Sequence, residues 1–178
     1  MGEEARIPAF LSRQSQIIFL GTGSGKYVRG KQLRATGGIV LQTQGYQFLI
    51  DPGPGATVMA ANYGINLRDS SAILVTHNHL GHANDLNAVI DAMTYAGLDK
   101  HGVLIASKSV IEGDEFGKPY LKEFYSTLLE RIIPLDKHQK AAIDEIEIQG
   151  LQANHTDLTA IGFKIITPDP GKSNDCDR

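Results

Sequence analysis

Three of the six histidines in this chain, His77, His79 and His82, fall within six consecutive positions. They follow directly on residues 71–76 (SAILVT), a run with the length and apolar content of a buried strand. Residues two apart on an extended segment share a side, so His77 and His79 can aim at one point. Neutral imidazole is a common metal ligand, and three imidazoles with an open fourth position form the donor set of a catalytic zinc site. The competing reading, polar residues at a strand end, suits a lone histidine better than this cluster.

The chain, 178 residues long, suffices for one domain with a sizeable core. Residues 16–20 (QIIFL) have strand character and end at the glycines of GTGSGK. Residues 38–43 and 46–50 are strand-like and separated by Gln44 and Gly45, a hairpin signal. Pro52 and Pro54 force DPGPG (51–55) out of the strand. Residues 56–63 suit a short helix ending at Gly64. Leu86, Val89, Ile90 and Met93 recur at the helical period over 84–96, with Gly97 as the stop. Further strands are expected at 103–106, 132–135, 143–151 and 161–166, a helix at 119–129, and a surface loop at 111–119. Strands that meander and then alternate with helices predict a mixed α/β (α+β) layer architecture. Residues 1–178 read as one domain, with 1–15 a loose leader and 168–178 a polar tail.

GTGSGK invites comparison with phosphate-binding loops, and the spacing rejects it. Only three residues separate Gly21 from Gly25, where the phosphate loop needs four, and Tyr27 follows Lys26. The segment 21–36 reads as a glycine-rich loop with no helix after it, and Lys26, Arg29, Lys31 and Arg34 as its solvated charges. A formal net charge of -3 gives no strong drive toward a nucleic-acid backbone, so nucleic acid is an admissible but not an indicated partner. Cys176 is the only cysteine, which excludes an internal disulfide and a cysteine metal cluster and fits the cytoplasm. The acidic N-terminus is not a signal peptide, and no apolar run approaches the roughly 20 residues that span a bilayer, so no membrane partner is expected.

THNHLGH (76–82) resembles the metal signature of the metallo-β-lactamase superfamily, T-H-x-H-x-D-H. IIFLGTGSG resembles the first strand and loop of the branch near the tRNA 3′-processing endonucleases. FLIDPGPG resembles the segment whose Asp sits behind the metal site, and ANHTDLTAIGFKI the segment carrying a further histidine ligand. The resemblance spans about residues 16–167. It implies an αββα sandwich, shortened at the C-terminus. It implies His77, His79 and His155 as ligands of a first metal, His82 as a ligand of a second, and Asp51 as the group that orients a ligand imidazole. The activity implied is that of a metal-dependent hydrolase, phosphodiesterase-like, in which a metal-bound hydroxide attacks a small-molecule ester or a phosphodiester.

Two departures qualify this. Gly81 stands where the signature has Asp, so the second site lacks a charged ligand. After residue 167 the acidic side chains are Asp169, Asp175 and Asp177; Asp177 is the candidate bridging ligand, against the reading of a frayed charged tail. The expectation is one Zn2+ per chain, with Mn2+ or Fe2+ as alternatives, and a weak second divalent site at His82. The alternative function is a catalytically inactive metal-binding or interaction module that keeps the fold. A homo-oligomer or a partner covering an incomplete sheet is also expected. Gly81 itself has two readings: a lost ligand, which Gly81→Asp would restore if the rest of the second site were present, or a glycine required by a positive φ.

Overall fold

A computed structural model of the chain describes residues 15–31, 33–115 and 117–168. The first strand, β1 (Gln16–Phe19), leads through the glycine loop to a short helix, α1 (Lys26–Gly30), and on to a hairpin of β2 (Ile39–Thr43) and β3 (Tyr46–Ile50). Gln44 and Gly45 turn that hairpin with φ of 49° and 84°, the left-handed pair that matches strand twist. From β3 onward the chain crosses over. Helix α2 (Ala56–Asn62) precedes β4 (Ser70–Val75), and α3 (Leu80–Ala83) and α4 (Leu86–Met93) precede β5 (Val103–Ala106). Helices α5 (Lys108–Glu112) and α6 (Glu123–Ser126) precede β6 (Arg131–Pro134). The large sheet runs β1-β2-β3-β4-β5-β6, antiparallel among its first three strands and parallel from β3 to β6. A separate antiparallel sheet holds β7 (Lys140–Ile143), β8 (Ile146–Gln152) and β9 (Ile161–Ile166).

The central strands β3, β4 and β5 are buried on both faces, which explains why β4 is apolar without alternation. Val40, Leu49, Ile73, Val75 and Leu104 pack with Ala60, Leu86, Val89, Ile90 and Met93 of the helices. Phe48, Ala72, Leu74 and Ile105 face the other way, onto Ile146, Ile148 and Ile161 of the small sheet. Each large aliphatic side chain removed from water contributes roughly 1.5–3 kcal/mol. Positions of the small sheet alternate with these: Glu147, Gln149 and Lys164 lie on its other face, where Lys140 Nζ donates to Glu147 Oε1 at 3.1 Å. The layering is helix, sheet, sheet, three layers of the αββα sandwich among the described residues. None of their helices is long and apolar enough to cross a membrane.

Four local expectations change. The loop at 21–36 contains α1, and α5 begins inside what reads as plain chain. The helix expected at 119–129 shrinks to the four residues of α6, while Leu121, Tyr125 and Leu129 all pack in or against the core. The strand expected at 143–151 is β8, beginning only at Ile146; Ile143 closes β7, and Asp144 with φ 49° turns the hairpin between them, with no glycine to mark it.

Candidate metal centre

The parallel pairing of β3 and β4 sets their C-terminal ends side by side. Asp51 leaves β3 with φ 51° and donates its N–H to Leu74 O at 2.8 Å, which turns its carboxylate toward the residue after β4. There Thr76 donates its N–H to Asp51 Oδ1 at 2.7 Å, and its hydroxyl lies 2.8 Å from Oδ2. The same hydroxyl oxygen is 2.8 Å from His77 Nδ1. An ionised carboxylate only accepts, so the single Thr76 hydroxyl proton goes to Asp51, and its oxygen accepts from His77 Nδ1–H. The lone pair of His77 is thereby placed on Nε2. That atom is buried and has no hydrogen-bond partner among the described residues. A buried acceptor without a donor is costly, and a cation is what such an atom lacks. Burial, ahead of the neighbouring His82 and His155 imidazoles, holds His77 down at about 4 from its usual 6.5, against the opposing pull of Asp51. His77 is neutral and ready to coordinate at neutral pH.

The other imidazoles gather round it. Ring centroids lie 4.8 Å from His77 to His79, 4.1 Å to His82 and 4.2 Å to His155. His79 opens α3 in an extended conformation, and the helix returns His82 three residues later beside His77. His155 comes from the loop between β8 and β9, anchored where Ile161 N donates to Thr76 O at 3.1 Å. One ring nitrogen from each of His77, His79 and His155 forms a set lying within 4.8 Å, and the residues fit a single divalent cation by donor type and spacing. His82 stands apart in its bonding: its Nδ1 is 2.9 Å from Asp51 Oδ2. Asp51 therefore orients His82 directly and His77 through Thr76. Asp177 lies outside the described residues. His101 and His138 belong to neither cluster.

Asp157 is a site residue that the sequence reading passes over. Its buried carboxylate accepts from Asn78 N (3.0 Å), Ser109 Oγ (2.7 Å), Thr159 N (2.8 Å) and Thr159 Oγ1 (2.8 Å). It ties the His77–His79 segment, the start of α5 and the His155 loop into one unit. Desolvation acts to raise its pKa, but the hydrogen bonds from Asn78, Ser109 and Thr159 outweigh it and bring it to about 2. The only signal in the sequence is local, an Asp-x-Thr turn (157–159) two residues beyond His155. Asp157→Ala is expected to destabilise the metal-free protein by ~2–4 kcal/mol, since several buried donors lose their acceptor together. Because the folded pKa lies below the unfolded one, this stabilisation is present above about pH 4 and is lost as pH falls toward 2. Urea unfolding at pH 7 and pH 3 checks both points. A loss under ~1 kcal/mol at pH 7, where the effect should be full, would remove Asp157 from this role.

Gly81 lies in α3, outside the left-handed φ region, so no positive φ requires glycine there. A Cβ built on it would meet Arg29 Nη1, the far end of a flexible side chain, at 2.5 Å. Arg29 is half-buried and is not one of the solvated loop charges, whereas Lys26, Lys31 and Arg34 are exposed. The flat approach of residues 21–23 to 34–36 makes this reach possible. A side chain at Gly21 or Gly23 would strike the carbonyl oxygens of Ala35 or Arg34, and Gly23 N donates to Ala35 O at 2.8 Å.

Known proteins resemble this chain in sequence and in fold. Residues 15–171 match the family described as anti-Pycsar protein Apyc1. An uncharacterized protein of Methanocaldococcus jannaschii is 31% identical over 152 residues, covering 85% of this chain and 57% of that protein. Ribonuclease Z of Thermobifida fusca is 30% identical over 158 residues, covering 86% of this chain and 48% of that enzyme. The metallo-β-lactamase fold protein YhfI of Bacillus subtilis superposes with a TM-score of 0.57 at 20% identity, over 74% of this chain and 50% of that one, a likeness of fold. The chain spans about half the length of the curated relatives it matches.

Proposed function

This chain belongs to the anti-Pycsar protein Apyc1 family and has the metallo-β-lactamase fold, and from that premise we propose that it is a zinc-dependent hydrolase of phosphodiester bonds. The observation that carries this reading is the buried, unpartnered Nε2 of His77 at the meeting point of His79 and His155. Those three residues would hold one Zn2+ per chain; Mn2+ or Fe2+ suits imidazole donors less specifically. When bound, the cation supplies Lewis acidity, polarising a substrate oxygen and acidifying water. The protein's own groups do the rest. Asp51 and Thr76 fix the His77 tautomer, so this ligand is presented without a competing proton. Asp51 also holds His82 at the cleft, beside the ring of His77. Asp157 keeps His155 registered against His77 and His79. A ribonuclease Z among the relatives favours phosphoryl over acyl substrates. A cytoplasmic location is part of this proposal, on the chain's single cysteine.

Gly81 favours one rival reading, a metal-binding module without catalysis, because glycine offers no carboxylate beside His82. Turnover of bis(4-nitrophenyl) phosphate by the purified chain separates the two. The hydrolase reading predicts turnover that stops on chelation and returns with stoichiometric zinc. A chain that binds zinc tightly and never turns over this or related phosphodiesters is the module.

A further inference from the structure

The long segment that holds the glycine loop is electrically one-sided. Between Glu4 and Asp51 there is no acidic residue, while Lys26, Arg29, Lys31 and Arg34 fall within nine positions. Three of these point to solvent; Arg29 alone is half-buried and turns inward over Gly81. It does so on the wall of a cleft of about 390 Å3, lined by the glycine loop, Gly37, Gly38, Asp51, Gly81 and His82. That volume falls within the range of small-molecule pockets, ~300–1,000 Å3. Asp51 is the single carboxylate on the wall, and its oxygens are already taken by Thr76 and His82. The cleft ends at His82, whose ring is 4.1 Å from that of His77, so whatever binds there lies beside the metal ligands.

We propose that this cleft is an anion subsite in which the Arg29 guanidinium, seated in the space that Gly81 leaves open, binds a phosphoryl group and supplies the positive charge beside His82. The proposal rests on the phosphodiesterase reading for its substrate class, but its chemistry is its own. A guanidinium is permanently charged and presents paired N–H donors that match two phosphoryl oxygens. Glycine at 81 is what admits it: any larger side chain would displace the guanidinium from this seat. Gly81 then marks a substitution of one cationic device by another, a fixed organic cation in place of a carboxylate-held metal.

The test is isothermal titration of inorganic phosphate into the full chain, metal-free and zinc-loaded, with wild type, Arg29→Ala, Arg29→Lys and Lys31→Ala. Zinc content and melting temperature are recorded for each. Metal-free wild type should bind phosphate. Arg29→Ala should weaken that binding roughly tenfold or more, Arg29→Lys should recover part of it, and Lys31→Ala, on the exposed side of α1, should change it less than about twofold. Zinc content should stay unchanged throughout. No phosphate binding by metal-free wild type, or equal losses in Arg29→Ala and Lys31→Ala, would overturn the proposal. Failure of the enzymatic reading is distinguishable: phosphate binding through Arg29 in a chain that hydrolyses nothing leaves the subsite standing without catalysis. Zinc-dependent hydrolysis with Arg29→Ala unchanged in phosphate affinity leaves the reverse.

Discussion

His155→Ala is expected to strip the chain of its divalent ion, weakening zinc affinity on the order of 10²–10³-fold and removing hydrolysis with it. His155 is the most discriminating ligand to remove because its side chain is exposed, so the variant tests coordination rather than folding. His77 would be ambiguous, being 5% exposed and wired through Thr76 to Asp51. With two imidazoles left, the cation has lost a third of its protein donors, and no carboxylate stands in the set to compensate. His82→Ala should cost far less, about tenfold at most, since His82 is not in the three-nitrogen set. Competition against a chromophoric zinc chelator measures both variants. Comparable losses would mean that His82 is a primary ligand and that the partition of the four imidazoles is wrong.

The second large effect concerns Gly81. Sequence reasoning alone leaves two outcomes for Gly81→Asp: a restored second metal if the rest of the second site is present, or a destabilised fold if glycine is required there. Position 81 is beside a guanidinium, which changes the outcome. The new carboxylate should pair with Arg29, leave zinc near one equivalent, and lower phosphate affinity by neutralising the cleft. A dication a few ångströms from a guanidinium is repelled by several kcal/mol even at an effective dielectric constant of about 20. The substitution is conformationally tolerated, because the Gly81 backbone is helical, and stability should hold or rise slightly. Only Gly81→Asp combined with Arg29→Ala frees the carboxylate to meet a metal beside His82, and that double variant should take up a weak second zinc. Elemental analysis after gel filtration at low and high zinc reads the difference. Two tightly held equivalents in the single variant would show that Arg29 does not govern the space.

The parts legible in the sequence are those set by local periodicity. The imidazoles of 77 and 79 follow from an apolar strand with period two, and α4 from Leu86, Val89, Ile90 and Met93 at helical spacing. The β2–β3 hairpin follows from Gly45. What was hidden depends on contacts between distant residues or on turns without glycine. Asp51 is legible as an orienting group only through the family resemblance, without its contact to Thr76 across 25 positions, and Asp157 reaches Asn78 across 79 positions with no mark of its partner. Asp144 turns the β7–β8 hairpin in a left-handed conformation that sequence preference assigns first to glycine or asparagine. The placement of Arg29 is the clearest case. Its charge reads as one of four on a loop, and only the close packing of Gly21 and Gly23 on residues 34–36 turns that loop so that one of the four comes inward.

One divalent cation is expected on His77, His79 and His155, with the neighbouring space belonging to Arg29. Anomalous diffraction at the zinc edge from crystals of the zinc-loaded chain tests it most directly. The expected map has one peak per chain, about 2.0–2.1 Å from one nitrogen of each of the three histidines, with none between His82 and Gly81. A second peak of comparable height beside His82, or a single peak that leaves His155 uncoordinated, would contradict it.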